Sequence, residues 1–265
     1  MRAAVIATGW LGDTIACSAA ATSLAEKGYK TTLFIRWPQL KPILDKDKRF
    51  ITRTYWHIKL LKLFMPIINR FFDLVIWEPS GWSYKEPFTS EMRRLAGCDP
   101  KPEYSLSLID GSGMKELVSN KNLLRPVICI SRDLYKRNYE RDVKSLICQL
   151  SKFAEIQWVG LNPNQSSKHG KRNSLLLDAQ SIIAADLFVG PEGGMLWLAA
   201  GLGKASVYFT EHILAVESFN GHKELDKVLG SKNYFPKESI YMPLPPYCSN
   251  EDAAKIIQKA IQVKR

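Results

Sequence analysis

Short apolar runs alternate with helix-patterned segments along most of this 265-residue chain. That alternation is the pattern of a parallel sheet, because each parallel strand must reach the next through a crossover that covers one face. The first half offers strands at 3–8 (AAVIAT), 31–36 (TTLFIR) and 73–78 (DLVIWE). Helices are expected over 12–27, closed by Gly28, and over much of 86–96, closed by Gly97. The second half restarts with a strand at 126–131 (PVICIS), a helix near 138–152 and a strand at 156–160. A helix near 174–185, a strand at 186–190, a helix from 193 and a strand at 205–209 follow. A last helix, about 250–263, opens with Ser249 and Asp252 at capping-box spacing. Residues 110–125 are rich in Gly, Ser and Asn and hold no clear strand. The sequence therefore predicts an α/β protein of two Rossmann-like domains, 1–110 and 126–265, joined by a linker over 111–125 and facing each other across a cleft. The C-terminal helix is given the option of packing back on the first domain.

Apolar residues make up 46% of the chain and charged ones 24%, enough for a core of one large domain or two smaller ones. Cys17, Cys98, Cys129, Cys148 and Cys248 are dispersed, with no C-x-x-C pair, which fits buried thiols in a reducing compartment. The apolar run in MRAAVIATGWLGD breaks at Gly9 and fits a first strand better than a signal peptide. No stretch reaches the ~20 apolar residues of a membrane span, so a cytoplasmic protein is expected. A net charge of +11 favours an acidic partner: a nucleotide, a phosphorylated lipid or glycan, an anionic membrane or nucleic acid. Sign alone does not choose among them.

Two glycine-containing loops stand where strands give way to helices. The first, ATGWLGDTIACSAA (7–20), has Gly9-x-x-Gly12 but neither the third glycine of a dinucleotide fingerprint nor the G-K-[ST] of a P-loop. It reads equally as a tight strand-to-helix turn, and Asp13 as a first-turn carboxylate favoured by the helix dipole. The second lies within DAQSIIAADLFVGPEGGMLWLAAGLGKASVYF (178–209). Gly193 and Gly194 there allow close backbone approach to a diphosphate at a helix N-terminus, and Glu192 is suited to sugar hydroxyls. The alternative is a glycine-rich turn packed on the sheet.

From Lys48 to Phe72 there is no acidic residue, while Lys48, Arg49, Arg53, Lys59, Lys62 and Arg70 interleave with Trp56, Phe64, Phe71 and Phe72. Such a stretch suits a membrane surface or an anionic acceptor. A helix packed on the first sheet with its lysines in water is the alternative, and Pro66 interrupts any single long helix.

GWLGDTI resembles the G-x-L-G-D-x-[IV] signature of the heptosyltransferase family (glycosyltransferase family 9, GT-B fold). IIAADLFVGPEGGMLWLAAGLGKASVYF resembles that family's later stretch, aliphatic-A-x-A-D-x-x-[IV]-[GS]-x-[DE]-[ST]-G-x-x-H-x-A-A-A-x-G-x-P. VICISRDLYKRNYERDVKSLICQL is similar to the strand that opens the family's second domain and the K-[RH]-W-P-like element after it. The resemblance implies that Gly9, Leu11 and Gly12 form an acceptor-side loop carrying Asp13 as general base. It places the nucleotide sugar on the second domain. Lys136 then supplies a cation, Ser131 a hydroxyl, and Gly193 and Gly194 backbone N–H groups. Arg132 and Arg137 are weighed against ordinary solvated loop residues, and Trp197 against a core residue rather than a stacking surface.

The chain departs from the pattern at several points. Gly193 stands where the family has Ser or Thr, Trp197 where it has His, and Ala205 where it has Pro. The loop LNPNQSS carries Asn162 and Asn164 but no acid, and the chain is short for the family. The resemblance implies an inverting, metal-independent transferase with no cofactor, using a nucleoside-diphosphate sugar, ADP-linked by analogy. A heptose or other hexose-like sugar would pass to an anionic glycan or lipid-linked acceptor such as lipopolysaccharide. No D-x-D element or His cluster lies in either motif. The alternatives are a non-catalytic relative that binds nucleotide or glycan, and a sugar-nucleotide epimerase or hydrolase on the same fold. A nucleic-acid binder is not expected, because no recognised module is visible.

Overall fold

The computed structural model describes residues 1–79, 88–99, 125–135, 142–160, 175–209, 241–244 and 248–262. Four parallel strands form the first sheet: β1 (Arg2–Ile6), β2 (Lys30–Ile35), β3 (Phe50–Thr54) and β4 (Leu74–Trp77), in the order β3-β2-β1-β4. β1 is central, with Val5 opposite Leu33 on one side and Ile76 on the other. Its residues Ala3 to Ile6 are wholly buried, which explains their unbroken apolar run.

Helix α1 (Leu11–Glu26) is buried on nearly every side, from Leu11 to Leu24. It contacts the first sheet, the helix Phe88–Leu95 and the helix Gly194–Gly201. A helix enclosed in this way must be small and uncharged, and ACSAAATS meets that need. It ends in a Schellman turn, with Gly28 at φ +86°, Gly28 N–H donating to Ala25 O and Tyr29 N–H to Leu24 O. The helix Phe88–Leu95 ends the same way at Gly97, φ +63°. Both glycine stops are as the sequence predicts.

The second sheet is also parallel: β5 (Val127–Ser131), β6 (Glu155–Val159), β7 (Leu187–Pro191), β8 (Ser206–Phe209) and β9 (Tyr241–Leu244), in the order β6-β5-β7-β8-β9. The last helix, Asn250–Gln262, begins as expected, with Ser249 Oγ accepting Asp252 N–H at 3.1 Å. Ala253, Ile257 and Ile261 join the second core, and Asn250 Nδ2–H donates to Asp142 O at 2.8 Å beside the helix Val143–Leu150.

The basic stretch divides three ways. β3 alternates, Phe50 and Thr52 inward and Ile51 and Arg53 outward, so its period of two is half hidden by charge. Two short helices follow, Ile58–Leu63 and Met65–Phe71, with Pro66 in the first turn of the second. β9 was also not expected. The linker 111–124 lies outside the described residues.

Candidate functional site

Because the first sheet is parallel, the carboxyl ends of β1, β2 and β4 deliver residues 7–10, Trp37 and Glu78 to one edge. The turn between β1 and α1 is bound by two carboxylates. Glu78 Oε2 accepts Thr8 N–H at 2.5 Å and Gly9 N–H at 2.8 Å. Asp13 Oδ2 accepts Trp10 N–H at 2.7 Å. Three successive N–H groups are thus occupied by the protein's own acids, and the turn has none of them left for a phosphate. Asp13 therefore caps its helix, as its first-turn position suggests, and also stands half-exposed at the sheet edge.

Gly9 is required there. A Cβ on it would stand 2.5 Å from Asp13 Oδ2 and closer still to Glu78 Oε1, so these two oxygens lie within about 5 Å of each other. Burial raises the Asp13 carboxyl above its usual value, against the lowering effect of the Trp10 N–H. Burial also raises Glu78; the Gly9 and Thr8 N–H groups oppose this, and the Asp13 charge adds to it. Beneath them the Cys17 thiol lies 3.7 Å from Glu78 Oε2, its pKa pushed well up by burial and by both acids. Tyr55 donates its hydroxyl to Ala7 O at 2.7 Å, and burial and then Glu78 push its pKa up to about 12. A carboxylate held in place with raised basicity is what proton abstraction near neutral pH needs.

Glu78 and Tyr55 were missed from the sequence. The available signal was an acid closing a strand predicted beside β1, since such a position reaches the same edge.

On the second sheet, Ser131 closes β5 fully buried, its Oγ accepting Asp133 N–H at 3.2 Å. Arg132 is not a solvated loop residue; it is half-buried and donates to Gly160 O at 3.3 Å. Glu192 is only 6% exposed and sits near Tyr208, whose phenol is raised by burial and then by the Glu192 charge. Lys136, Arg137, Asn162 and Asn164 lie outside the described residues.

The glycines of the two loops meet in an unexpected way. A Cβ on Gly12 would fall 2.6 Å from Trp197 Cδ1, and one on Gly194 would fall 3.0 Å from Leu11 Cδ2. Each helix start thus offers a glycine to the other's bulky side chain. Trp197, 5% exposed, fills this seam and presents no open face for stacking on a sugar or base. The close approach at Gly194 is made by Leu11 of α1. Gly193 has φ +143°, a conformation that side chains resist, so glycine replaces the Ser or Thr of the resembled pattern for a backbone reason. Among the described residues, no group of three or more His, Cys, Asp or Glu could hold a metal ion.

No protein-family profile matches the sequence, and no curated protein matches it. Solved structures do. The Escherichia coli ADP-heptose lipopolysaccharide heptosyltransferase II is similar at TM-score 0.66 and 12% identity, over 100% of this chain and 99% of its own. The E. coli heptosyltransferase WaaC, solved with ADP-2-deoxy-2-fluoro heptose, is similar at 0.62 and 10%, over 100% of both chains. A glycosyl transferase family 9 protein from Veillonella parvula is similar at 0.61 and 10%, over 99% of this chain and 97% of its own. Two parallel sheets with helix-lined faces, matched over their whole length to these proteins, give the chain the GT-B fold of the heptosyltransferases.

Proposed function

We propose that the protein is an inverting glycosyltransferase that moves a heptose or hexose-like sugar from an ADP-linked donor to a glycan or lipid-linked acceptor. The observation that carries this reading is Asp13, fixed by the Trp10 N–H at the sheet edge with its basicity raised by burial. The acceptor hydroxyl gives its proton to Asp13 while its oxygen bonds to the anomeric carbon. The bond from that carbon to the diphosphate breaks on the opposite face, which inverts the centre. A positioned base contributes about 100- to 10,000-fold in rate. The ADP assignment is supported by WaaC, which was solved with an ADP-linked fluoro heptose.

The departing diphosphate develops negative charge and needs donors and cations. The N–H groups at the start of Gly194–Gly201, Arg132 and, from the resemblance, Lys136 are the groups offered for it, without a metal ion. Turnover that survives EDTA tests that last point. The same reading takes 111–125 as the linker between the two domains. The stretch 53–71, with the helices Ile58–Leu63 and Met65–Phe71, is the membrane-facing surface in this reading: Trp56 is 97% exposed, Leu63 and Phe71 are largely exposed, and Arg53, Lys59, Lys62 and Arg70 of the same stretch are exposed too. No described helix is long and apolar enough to cross a membrane, so the contact would be peripheral.

A second reading, a non-catalytic relative, is favoured by the seam in which Trp197 and Leu11 cover Gly12 and Gly194. Calorimetric titration with ADP and ADP-heptose, with ADP release measured beside it, separates the two. Binding together with release of ADP from ADP-heptose in the presence of an acceptor supports transfer; binding without release, or binding of neither, supports the second reading.

A further inference from the structure

The fold hides one tryptophan of the resembled motifs and displays another. Trp197 is enclosed, whereas Trp10, immediately before the Leu11-Gly12-Asp13 run, is 70% exposed. Trp10 is nonetheless held firmly. Its backbone N–H is bonded to Asp13 Oδ2 at 2.7 Å, and its carbonyl accepts the first helical N–H, from Thr14, at 3.0 Å. Its indole rests against that of Trp37, with ring centroids 5.8 Å apart and planes tilted by 37°. Trp37 is half-buried and pinned in turn, its Nε1–H donating to Gly9 O at 3.0 Å.

Two indoles from the carboxyl ends of adjacent strands therefore meet at the turn that carries the two carboxylates, Trp37 tied to it by its ring N–H and Trp10 by its backbone and by its contact with Trp37. A large apolar ring kept at the surface by this many attachments is preorganised, so a ligand need not order it on binding. An indole face is electron-rich, and the C–H groups on one side of a pyranose are weakly positive and apolar. The hydroxyls at that sugar's rim remain free for hydrogen bonding.

We propose that Trp10, backed by Trp37, is the platform on which the acceptor's sugar ring lies, with the attacking hydroxyl directed at Asp13. This rests on the transfer reading above and narrows it. The acceptor presents a pyranose at its reacting end, not a bare lipid phosphate. The bond from Trp10 N–H to Asp13 fixes platform and base relative to each other, so the geometry of attack is built into one turn of backbone.

The test is saturation-transfer NMR on the full-length protein with methyl α-D-glucopyranoside and methyl α-D-mannopyranoside as probes. Saturation is expected at the C–H protons of one ring face. It should fall roughly fivefold in Trp10→Ala, fall less in Trp10→Phe, and be unchanged in Leu177→Ala, which removes an exposed apolar side chain elsewhere. Equal saturation in Trp10→Ala and the unaltered protein, or none in the unaltered protein, overturns the platform. Calorimetric titration of ADP into Trp10→Ala should match the unaltered protein, which also verifies folding. If ADP binds neither protein, the transfer reading fails, whereas the saturation pattern judges the platform on its own.

Discussion

Asp13 and Glu78 hold one turn between them, Glu78 through the N–H groups of Thr8 and Gly9 and Asp13 through that of Trp10. Two like charges within about 5 Å would repel if both were ionised, and burial already disfavours each charge. Glu78→Gln keeps an oxygen for the two N–H groups and removes the charge. The Asp13 charge raises Glu78, whereas Asp13 itself is raised by burial alone, so Asp13 ionises first and the acid limb of the kcat/KM profile is expected to stay in place in Glu78→Gln. Because both carboxyls are raised, their contribution to folding is full below their ordinary values of 3.8 and 4.5 and is lost as pH rises through the folded values. Glu78→Gln should flatten that loss, measurable by denaturant titration across pH. Glu78→Ala instead orphans two N–H groups, at about 1–3 kcal/mol each.

The seam between the helices gives a coupled pair. Gly12→Ala drives a methyl group into Trp197 and is expected to cost about 1–3 kcal/mol. Trp197→Ala opens a cavity and is expected to cost about 3–5 kcal/mol. In the Trp197→Ala background the Gly12→Ala cost should largely vanish, since the methyl group then has room. Denaturant unfolding of the four proteins in the cycle measures this coupling.

Gly193→Ser restores the hydroxyl of the resembled pattern, yet the backbone there is at φ +143°. Strain of roughly 1–3 kcal/mol is expected, read as a lower denaturation midpoint and no gain in ADP affinity by calorimetry.

The exposed basic and apolar surface over 53–71 should bind anionic vesicles at low salt and release them at high salt. Co-sedimentation with vesicles of anionic and of neutral lipid, at two ionic strengths, measures it. Replacing Trp56, Leu63 and Phe71 by Ser should weaken the binding. Equal binding to both lipids, or to neither, contradicts a charge-assisted contact.

The parallel strands were legible because buried strands leave unbroken apolar runs, as in AAVIAT and PVICIS, and helix ends because Gly28 and Gly97 supply left-handed stops. β3 was obscured because Arg53 and exposed Ile51 share its short pattern. Asp13 was legible as a first-turn carboxylate from its place after Gly12. Glu78 was not, because its role depends on a β1–β4 pairing across 70 residues of sequence separation from Thr8. Trp197 was weighed between stacking and core, and only the proximity of Gly12 decides for the seam.

Transfer in this protein requires Asp13 as the base. The most direct measurement is ADP release from ADP-heptose, with a lipopolysaccharide precursor as acceptor, for the unaltered protein and for Asp13→Asn, beside calorimetric ADP affinity for both. Asparagine can still accept the Trp10 N–H but cannot take a proton from the acceptor. Release is expected to fall about 100-fold or more with ADP affinity unchanged; release near the unaltered rate in Asp13→Asn contradicts a role for Asp13 as base.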